Sequence, residues 1–307
     1  MFVWVKVVKQ IKNGKLKTRL KNLTLSIGLH ELTFQPFMNA IAPIESNETP
    51  NVTTSSKFTY FPPKTAFDAK HVLVKPNLGY PVAAPVTVSI PVLNTVLQGL
   101  RRASPNAKIS IVEGVCSAAS LAEIASLHGV YELLDEGMQL LDADTLPLSE
   151  YPNRSPSPVR FKTLLAPKLL QTVDCRISVS ALKRTQLKGE PLISASLKNL
   201  YGLFPRAKYK ARSPNSRGQL HRPSVPSVLQ DVYFSIGHLF DGGVVDVTQK
   251  FVSHDWKPDR GRAIAIGKIV WGNDLIDVDR TACQIADEPN PIYLDEIDRI
   301  RTGGRQV

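Results

Sequence analysis

Short apolar strands alternate with amphipathic helices from Lys70 onward, and this alternation constrains the fold of the 307-residue chain more than any other feature. HVLVKP at 71–76 is typical of a buried strand, and KISIVEG at 108–114 predicts a second one. Between them, four apolar residues recur at the spacing of one helix face: Val92, Val96, Leu97 and Leu100. Because strand–helix–strand units place successive strands parallel, we expect an α/β fold with a doubly wound, mostly parallel sheet, as one large domain or as two lobes with a cleft between them.

The second half of the chain keeps the same pattern. MQLLDAD, VRFKTLL, DCRISVSAL, GGVVDV and AIAIGKIVWG predict further strands, and YPNRSPSP is typical of a loop between the halves. Gly129 is expected to end a helix over 119–128, Ser224 or Ser227 to cap a long helix, and residues 275–286 to form the last one.

Residues 1–65 differ from the rest of the chain. They show little hydrophobic periodicity and are rich in Thr, Ser, Asn and Pro, as in SNETPNVTTSS at 46–56. We therefore predict a variable, mobile basic extension over 1–65, the α/β domain over 66–300 and a tail over 301–307.

The three cysteines, Cys116, Cys175 and Cys283, are widely separated and form no CxxC pair. They match neither a disulfide framework nor a zinc or iron–sulfur motif, so a reducing cytoplasm is the expected compartment and an iron–sulfur cluster in this chain is not supported. A divalent metal stays an open alternative for the cofactor. No stretch approaches the roughly 18 apolar residues of a membrane helix, so no membrane partner is expected.

Positive charge is concentrated in two regions. The net charge is +11; residues 1–30 contain seven Lys or Arg residues and no acid, and residues 183–222 contain ten against Glu190 alone. The remainder is therefore net negative, which favours anionic partners at particular places over a diffusely basic surface.

The second basic region includes SASLKNLYGLFPRAKYK at 194–210. Apolar residues at i, i+3, i+4 and i+7 predict a short helix that docks on the core. That face comprises Leu197, Leu200, Tyr201 and Phe204. Lys198 and Asn199 lie off this face, and Pro205 ends the helix because it has no backbone N–H. A solvated surface helix with a basic tail is the alternative interpretation.

Five short motifs occur in an order that resembles one family. They are VLVKPNLG at 72–79, VEG at 112–114, the segment 194–210, the pair at 220–221 and GNDLIDVD at 272–279. Together they resemble the domain of unknown function 362 family over roughly residues 70–298. That family is often found beside ferredoxin-type iron–sulfur modules, so the resemblance implies a ferredoxin-type partner and a redox-linked pathway.

The chain departs from this family at two positions. Residues 183–186 read KRTQ where a Lys-Thr-His run is usual, and the missing histidine weakens any metal or acid–base role assigned by resemblance. Ser194 stands where the family usually has Thr, a change that keeps the hydroxyl.

Polar residues follow the predicted strands, and the family motifs fall at the same places. In doubly wound sheets ligands bind beyond the carboxyl ends of the strands, so we expect these residues to line a cleft. Lysines there could clamp a phosphate or carboxylate as point charges, with asparagines supplying directional hydrogen bonds. The predicted ligand-binding residues are Lys75, Asn77, Gly79, Lys183, Ser194, Asn199 and Arg206.

Four further assignments concern catalysis: Lys198, Glu113, His221 and Asp274. A carboxylate there could act as a base or metal ligand, and His221 could bind a metal or transfer a proton. Simpler alternatives stay open, since Asp274 could cap the following helix and His221 could be a surface histidine.

Two functions are consistent with these residues. No GxGxxG opens a helix after a strand, and neither GxxxxGK[ST] nor a Gly-x-Ser-x-Gly elbow occurs. The first hypothesis is an enzyme or ligand-binding protein that acts on an anionic small molecule in a basic cleft. The second is a nucleic-acid-binding protein that uses the basic loop 206–222, in which basic residues surround Tyr209. We prefer the first because no nucleic-acid-binding fold is recognisable.

Overall fold

Ten strands and seven α-helices are formed by the residues that the computed structural model describes, 49–303 apart from 188, 256, 258 and 259. The strands are β1 (Asn51–Thr54), β2 (His71–Pro76), β3 (Lys108–Glu113), β4 (Met138–Asp142), β5 (Leu148–Pro152), β6 (Thr163–Pro167), β7 (Cys175–Leu187), β8 (Glu190–Ser194), β9 (Gly242–Val252) and β10 (Arg262–Gly272). The α-helices are α1 (Ile90–Ala103), α2 (Leu121–His128), α3 (Ser196–Asn199), α4 (Arg206–Tyr209), α5 (Val225–Ser235), α6 (Leu275–Ile285) and α7 (Ile292–Arg301).

Eight of these strands form one mixed sheet in the order β1-β10-β9-β7-β2-β3-β4, with β8 paired to β7. Strands β2, β3, β4, β7 and β9 pair in parallel, and β1, β8 and β10 pair antiparallel. This confirms the predicted α/β fold with a mostly parallel sheet. Strands β5 and β6 form a separate antiparallel pair on either side of the predicted loop.

Both faces of the central strands are covered. Along β2, Val72 and Val74 pack into a core cluster that contains residues of α1 and α2, whereas Leu73 packs into a second cluster with residues of α5 and α7. Side chains alternate between the faces of a strand, so a strand buried on both faces must be apolar throughout, as HVLVKP nearly is.

Helices α2 and α5 are capped by the residues that the sequence pattern indicates. Ser120 and Glu123 form a capping box at the start of α2, and Gly129 ends that helix with φ of 72°. Ser224 caps α5 by accepting a hydrogen bond from Ser227 N.

The strand order of the sheet reverses next to β2. The chain adds β3 and β4 on one side of β2 and then places β7 and β9 on the other side. Lys75 and Glu113 lie at the carboxyl ends of β2 and β3. Crevices form where strand order reverses, so this edge is the expected place for a ligand.

Residues 51–66 belong to this fold, which differs from the predicted boundary at residue 65. Strand β1 pairs with β10 from Asn51 to Thr54, and Tyr60 and Ala66 are buried in the core. An edge strand is held through backbone hydrogen bonds, so its side chains need no apolar period, and composition therefore misses it. The rest of the predicted extension, residues 1–48, lies outside the described residues.

All described residues belong to one compact unit, Ile41–Val307. The cavity discussed below therefore lies within one unit and is not a cleft between two lobes. None of the described helices combines the length and the apolar character that a bilayer crossing requires.

Candidate functional site

A cavity of about 300 Å³ opens beyond the carboxyl ends of β2 and β3. Nine of the eleven predicted site residues line it: Lys75, Asn77, Gly79, Glu113, Lys183, Ser194, Lys198, Asn199 and His221. The structure thus brings together residues that lie far apart in the sequence, because parallel strands end at the same edge of the sheet.

A buried ion pair forms one wall of the cavity. Lys75 Nζ lies 2.7 Å from Glu113 Oε1, and each residue is only 1% exposed. Lys75 also donates to Pro76 O and to Asn199 Oδ1 at 2.8 and 3.2 Å, so three acceptors surround the amine. Burial lowers the pKa of Lys75, but the Glu113 carboxylate opposes this effect, and three acceptors require the three protons of an ammonium.

Glu113 is equally well satisfied. Its Oε2 accepts from Leu78 N at 2.6 Å and its Oε1 from Gly114 N at 2.8 Å, besides the contact with Lys75. A carboxylate with this many donors is held in place and has little capacity left to bind a metal.

Two glycines allow the chain to pass over this ion pair. A Cβ at Gly202 would overlap Glu113 Oε1 and come within 2.8 Å of Lys75 Nζ, and a Cβ at Gly114 would overlap the carbonyl of Gly202. These positions require glycine because of close backbone approach.

Asn199 links α3 to strands β2 and β7. Its Nδ2 donates to Lys75 O at 2.8 Å and to Ser178 Oγ at 3.1 Å, while its Oδ1 accepts from Lys75. The side chain is only 7% exposed, so its part at the site is to hold the wall together.

Asp279 fixes the start of α3. Its carboxylate accepts from Ser196 N and Oγ at 2.7 and 2.5 Å and from Leu197 N at 3.0 Å. Burial raises the pKa of Asp279 to about 6, although these three donors act in the opposite direction. The helix is shorter than predicted: α3 ends at Asn199, and a 3₁₀ turn continues from Leu200 to Leu203.

Lys183 lies on the opposite wall. It donates to Asn77 Oδ1 at 2.6 Å and to Val86 O at 2.9 Å, and no carboxylate pairs with it among the described residues. Burial lowers the pKa of Lys183 to about 7, and the positive charge of Lys198 adds to the effect. Ser194 is its direct cross-strand partner on β8, so both side chains lie on the same face of the sheet.

Lys198 is half-buried and contacts an aromatic ring. Its Nζ lies 5.4 Å from the centre of the Tyr201 ring, and within the described part of the chain it has neither a hydrogen bond nor an ion pair. Burial lowers the pKa of Lys198. The ring of His221 stacks on Tyr201 at 6.0 Å, and burial together with the charge of Lys198 lowers the pKa of His221 to about 4, so this ring is neutral at pH 7.

Arg217 and Cys116 also line the cavity, and no local sequence pattern places Arg217 there. Arg217 Nη1 donates to Val115 O at 3.0 Å and to Cys116 Sγ at 3.2 Å. The guanidinium also bonds Phe204 O and Gly202 O and lies 3.6 Å from Asp144. Arg217 is therefore a buried cross-link between the basic loop and the end of β3.

Asp274 and Arg206 lie outside the cavity, so the site roles predicted for them are not supported by their positions. Asp274 caps α6 by accepting from Ile276 N and Asp277 N, and it pairs with Arg301 at 2.6 Å. Arg206 pairs with Asp144 at 2.5 Å. In both cases the side chain forms an ion pair with a residue that is distant in the sequence.

The basic loop also differs from a nucleic-acid surface in its aromatic residue. Tyr209 is only 6% exposed; its hydroxyl accepts from Leu165 N at 2.7 Å, and its ring packs on Phe161 and Phe204. It offers no free ring face on which a base could stack.

No group of three His, Cys, Asp or Glu side chains is placed to hold a metal ion within the residues that the structure describes.

The comparison with family models agrees with the motifs. A family model described as "Domain of unknown function (DUF362)" matches residues 72–284. Among solved structures, the lactate racemase apoprotein from Thermoanaerobacterium thermosaccharolyticum is similar with a TM-score of 0.46 and 16% identity, over 73% of this chain and 50% of that chain. The chain thus spans half the length of that structure. No curated protein matches the chain.

Proposed function

This chain belongs to the DUF362 family, and we propose that it binds a small anionic molecule, a carboxylate or phosphate compound, in the cavity and acts on it as an enzyme. One observation carries the proposal. Lys183 and Lys198 face the cavity without a carboxylate partner among the described residues, whereas Lys75 on the same cavity is neutralised by Glu113.

The charge balance of the cavity favours an anion. Glu113 is the only acidic residue among those lining the described cavity, and its charge is already used by Lys75. When both lysines are protonated, the charges of Lys183 and Lys198 repel each other, which costs free energy. A carboxylate or phosphate between them would remove this repulsion and gain charge-assisted hydrogen bonds.

Size and neighbouring groups support a small molecule. A cavity of about 300 Å³ is at the lower end of the range that suits small ligands. Ser194 and Asn77 line it, and neither the Ser194 hydroxyl nor Asn77 Nδ2 has a hydrogen-bond partner within the described residues, so both groups can orient polar groups of a ligand. A lysine whose pKa is about 7 suits proton transfer at neutral pH, which favours an enzyme over a simple binding protein.

The nucleic-acid alternative is less consistent with the geometry. Tyr209 is buried, Arg217 is buried in the cavity wall, and Arg206 is paired with Asp144. The hypothesis depends on six residues, Arg206, Lys208, Tyr209, Lys210, Arg212 and Arg217, and the fold thus already occupies three of them. The ferredoxin-type partner and the redox-linked pathway stay predictions from the family resemblance.

The test is to titrate the protein with oxalate and with inorganic phosphate by calorimetry at pH 6 and pH 9. We expect Lys198→Met to weaken binding of the preferred anion by about 30-fold or more, because loss of a desolvated charged contact costs about 2 to 5 kcal/mol. Methionine keeps an unbranched side chain of similar length and removes the charge that lies over the Tyr201 ring. Lys208→Met is the matched control, since Lys208 is exposed on α4 and does not line the cavity.

The pH dependence provides a second criterion. Anions prefer protonated Lys183, so binding should be tighter at pH 6 than at pH 9, because the pKa of Lys183 is about 7. Absence of saturable binding for both anions, or equal loss in Lys198→Met and Lys208→Met, would contradict the proposal.

A further inference from the structure

The two strand lysines of the cavity differ in how many hydrogen-bond acceptors surround them. Lys75 Nζ has three acceptors, and one of them is the Glu113 carboxylate. Lys183 Nζ has two, and both are uncharged oxygens, Asn77 Oδ1 at 2.6 Å and Val86 O at 2.9 Å.

This difference matters because the number of protons on an amine must match the number of its acceptors. An ammonium has three N–H donors and no lone pair, whereas a neutral amine has two N–H donors and one lone pair. Two acceptors satisfy a neutral Lys183 completely. The tetrahedral nitrogen then directs its lone pair away from Asn77 and Val86, and the remaining side is the cavity that Lys183 lines.

We propose that the Lys183 amine is a nucleophile that forms an imine with the carbonyl carbon of an oxo acid bound in the cavity. This inference rests on the proposed function, because the carboxylate of the oxo acid is the anion that Lys198 holds. The lowered pKa of Lys183, about 7, agrees with the geometry, since lysines are activated in this way by desolvation and by a neighbouring cation.

The reaction balances without an oxidant or a reductant. The Lys183 nitrogen attacks the carbonyl carbon, and the π electrons of the C=O bond move to the oxygen, which takes a proton. The nitrogen of the resulting carbinolamine loses one proton, its hydroxyl group leaves as water after protonation, and the C=N bond forms. In sum, the amine, the ketone and one proton give a protonated imine and water.

Neighbouring residues fit the two stages of this reaction. Ser194 is the cross-strand partner of Lys183, so its hydroxyl is placed to donate a hydrogen bond to the carbonyl oxygen. The protonated imine keeps one N–H, which can stay bonded to Asn77 or Val86. Lys183 therefore exchanges one of its two hydrogen bonds for the covalent bond.

The first test traps the imine. The protein is incubated with pyruvate as the oxo-acid probe and with borohydride, and modified lysines are identified by peptide mass spectrometry. We expect modification of Lys183 to exceed that of exposed Lys208 by at least about tenfold at pH 7.5, because most of a group with a pKa near 7 is then neutral. Lys183→Arg should lose the adduct at this peptide while Lys208 keeps its background.

The second test uses only the wild-type protein and no ligand. Trace labelling with acetic anhydride across pH 5 to 11 measures the pH at which each amine becomes reactive. We expect a midpoint near 7 for Lys183, against about 10.4 for a solvated lysine, so the result does not depend on whether Lys183→Arg folds. A midpoint for Lys183 near that of solvated lysines would overturn the inference.

Oxalate separates this inference from the proposed function, because it carries two carboxylates and no ketone. If oxalate binds and pyruvate gives no selective adduct at Lys183, the inference is wrong and the anion site stands. If oxalate binds and protects Lys183 from the adduct, both are supported. A selective adduct without saturable oxalate or phosphate binding would support the nucleophile and remove the anion site.

Discussion

Lys75 and Lys183 lie on neighbouring strands and line one cavity, but their walls are built differently. Around Lys75 and Glu113, each donor and acceptor has a partner, and two glycine backbones cover the pair. Around Lys183, Lys198 and Ser194, charges and hydroxyls face the cavity with fewer protein partners. Residue type therefore does not distinguish the two lysines; the count and charge of their acceptors do.

The two walls of the cavity are therefore expected to have different roles. The polar groups of the Lys75 wall are satisfied by protein partners, and Asn199 joins this wall to α3. The Lys183 wall has unused hydrogen-bonding capacity, which a ligand can satisfy. Changes on the first wall should thus mainly alter stability, and changes on the second should mainly alter binding.

The largest effect is expected for Gly202→Ala. The added methyl group would overlap Glu113 Oε1 and contact Lys75 Nζ, so the buried ion pair must shift or separate. We expect a loss of at least about 4 kcal/mol in the free energy of unfolding, measured by urea denaturation, or failure to fold. Gly79→Ala is the matched control, because the nearest atom to its Cβ is Cys116 N at 3.9 Å. Equal stability of the two variants would show that the wall tolerates change.

The next effect concerns the charge of the same pair. Glu113→Gln leaves the Lys75 ammonium buried without a counter-charge, which should cost about 3 kcal/mol of stability. Combining it with Lys75→Met removes the unpaired charge, so the double variant should be more stable than Glu113→Gln alone. If the double variant is the less stable one, Lys75 contributes through its other hydrogen bonds and not through its charge.

Asp279 affects both walls because it holds the start of α3, the helix that carries Asn199 and Lys198. In Asp279→Asn, the amide group would place an N–H against Leu197 N or Ser196, which disturbs the start of this helix. We expect a loss of about 2 kcal/mol in stability and weaker oxalate or phosphate binding by calorimetry. Asp274→Asn is the control: it caps α6 and pairs with Arg301 outside the cavity, so anion affinity should not change. If Asp274→Asn also lowered the affinity for oxalate or phosphate, Asp274 would have to be counted as a residue of the anion site.

Much of this arrangement could be predicted from the sequence because it follows from local pattern and sheet topology. The strand pattern placed Lys75 and Glu113 at the ends of β2 and β3, and parallel strands bring such ends together. The helix face of Leu197 and Leu200 left Lys198 free to line the cavity. These inferences need only the periodicity of the chain.

The errors and omissions come from long-range partners. Asp274 and Arg206 had suitable chemistry, but Arg301 and Asp144 occupy them, and no local pattern reveals these pairs. Arg217 belongs to the basic loop 206–222, but it is buried in the cavity wall and donates to the backbone carbonyls of Val115 and Gly202. Counting acceptors around Lys75 and Lys183 likewise requires coordinates, because Asn199 and Val86 reach them from other segments.

The smallest expected effect is the pH dependence that Lys183 contributes to stability. In the folded protein the pKa of Lys183 is about 7, and in the unfolded chain it takes the higher value of a solvated lysine, so between these values the unfolded state binds more protons. Stability therefore rises with pH from about 7 to 10 through this group and is unaffected by it below pH 6. The stability of Lys183→Met minus that of wild type should thus be higher by about 1 to 2 kcal/mol at pH 6.5 than at pH 8. The comparison between the two pH values cancels the constant cost of leaving Asn77 Oδ1 and Val86 O without a donor.

Urea denaturation of both proteins at pH 6.5, 8 and 10 measures this difference, with Lys208→Met as the exposed control. A difference that does not change with pH would mean that Lys183 titrates as an ordinary ammonium, and the contrast between the two walls would then rest on Lys198 alone.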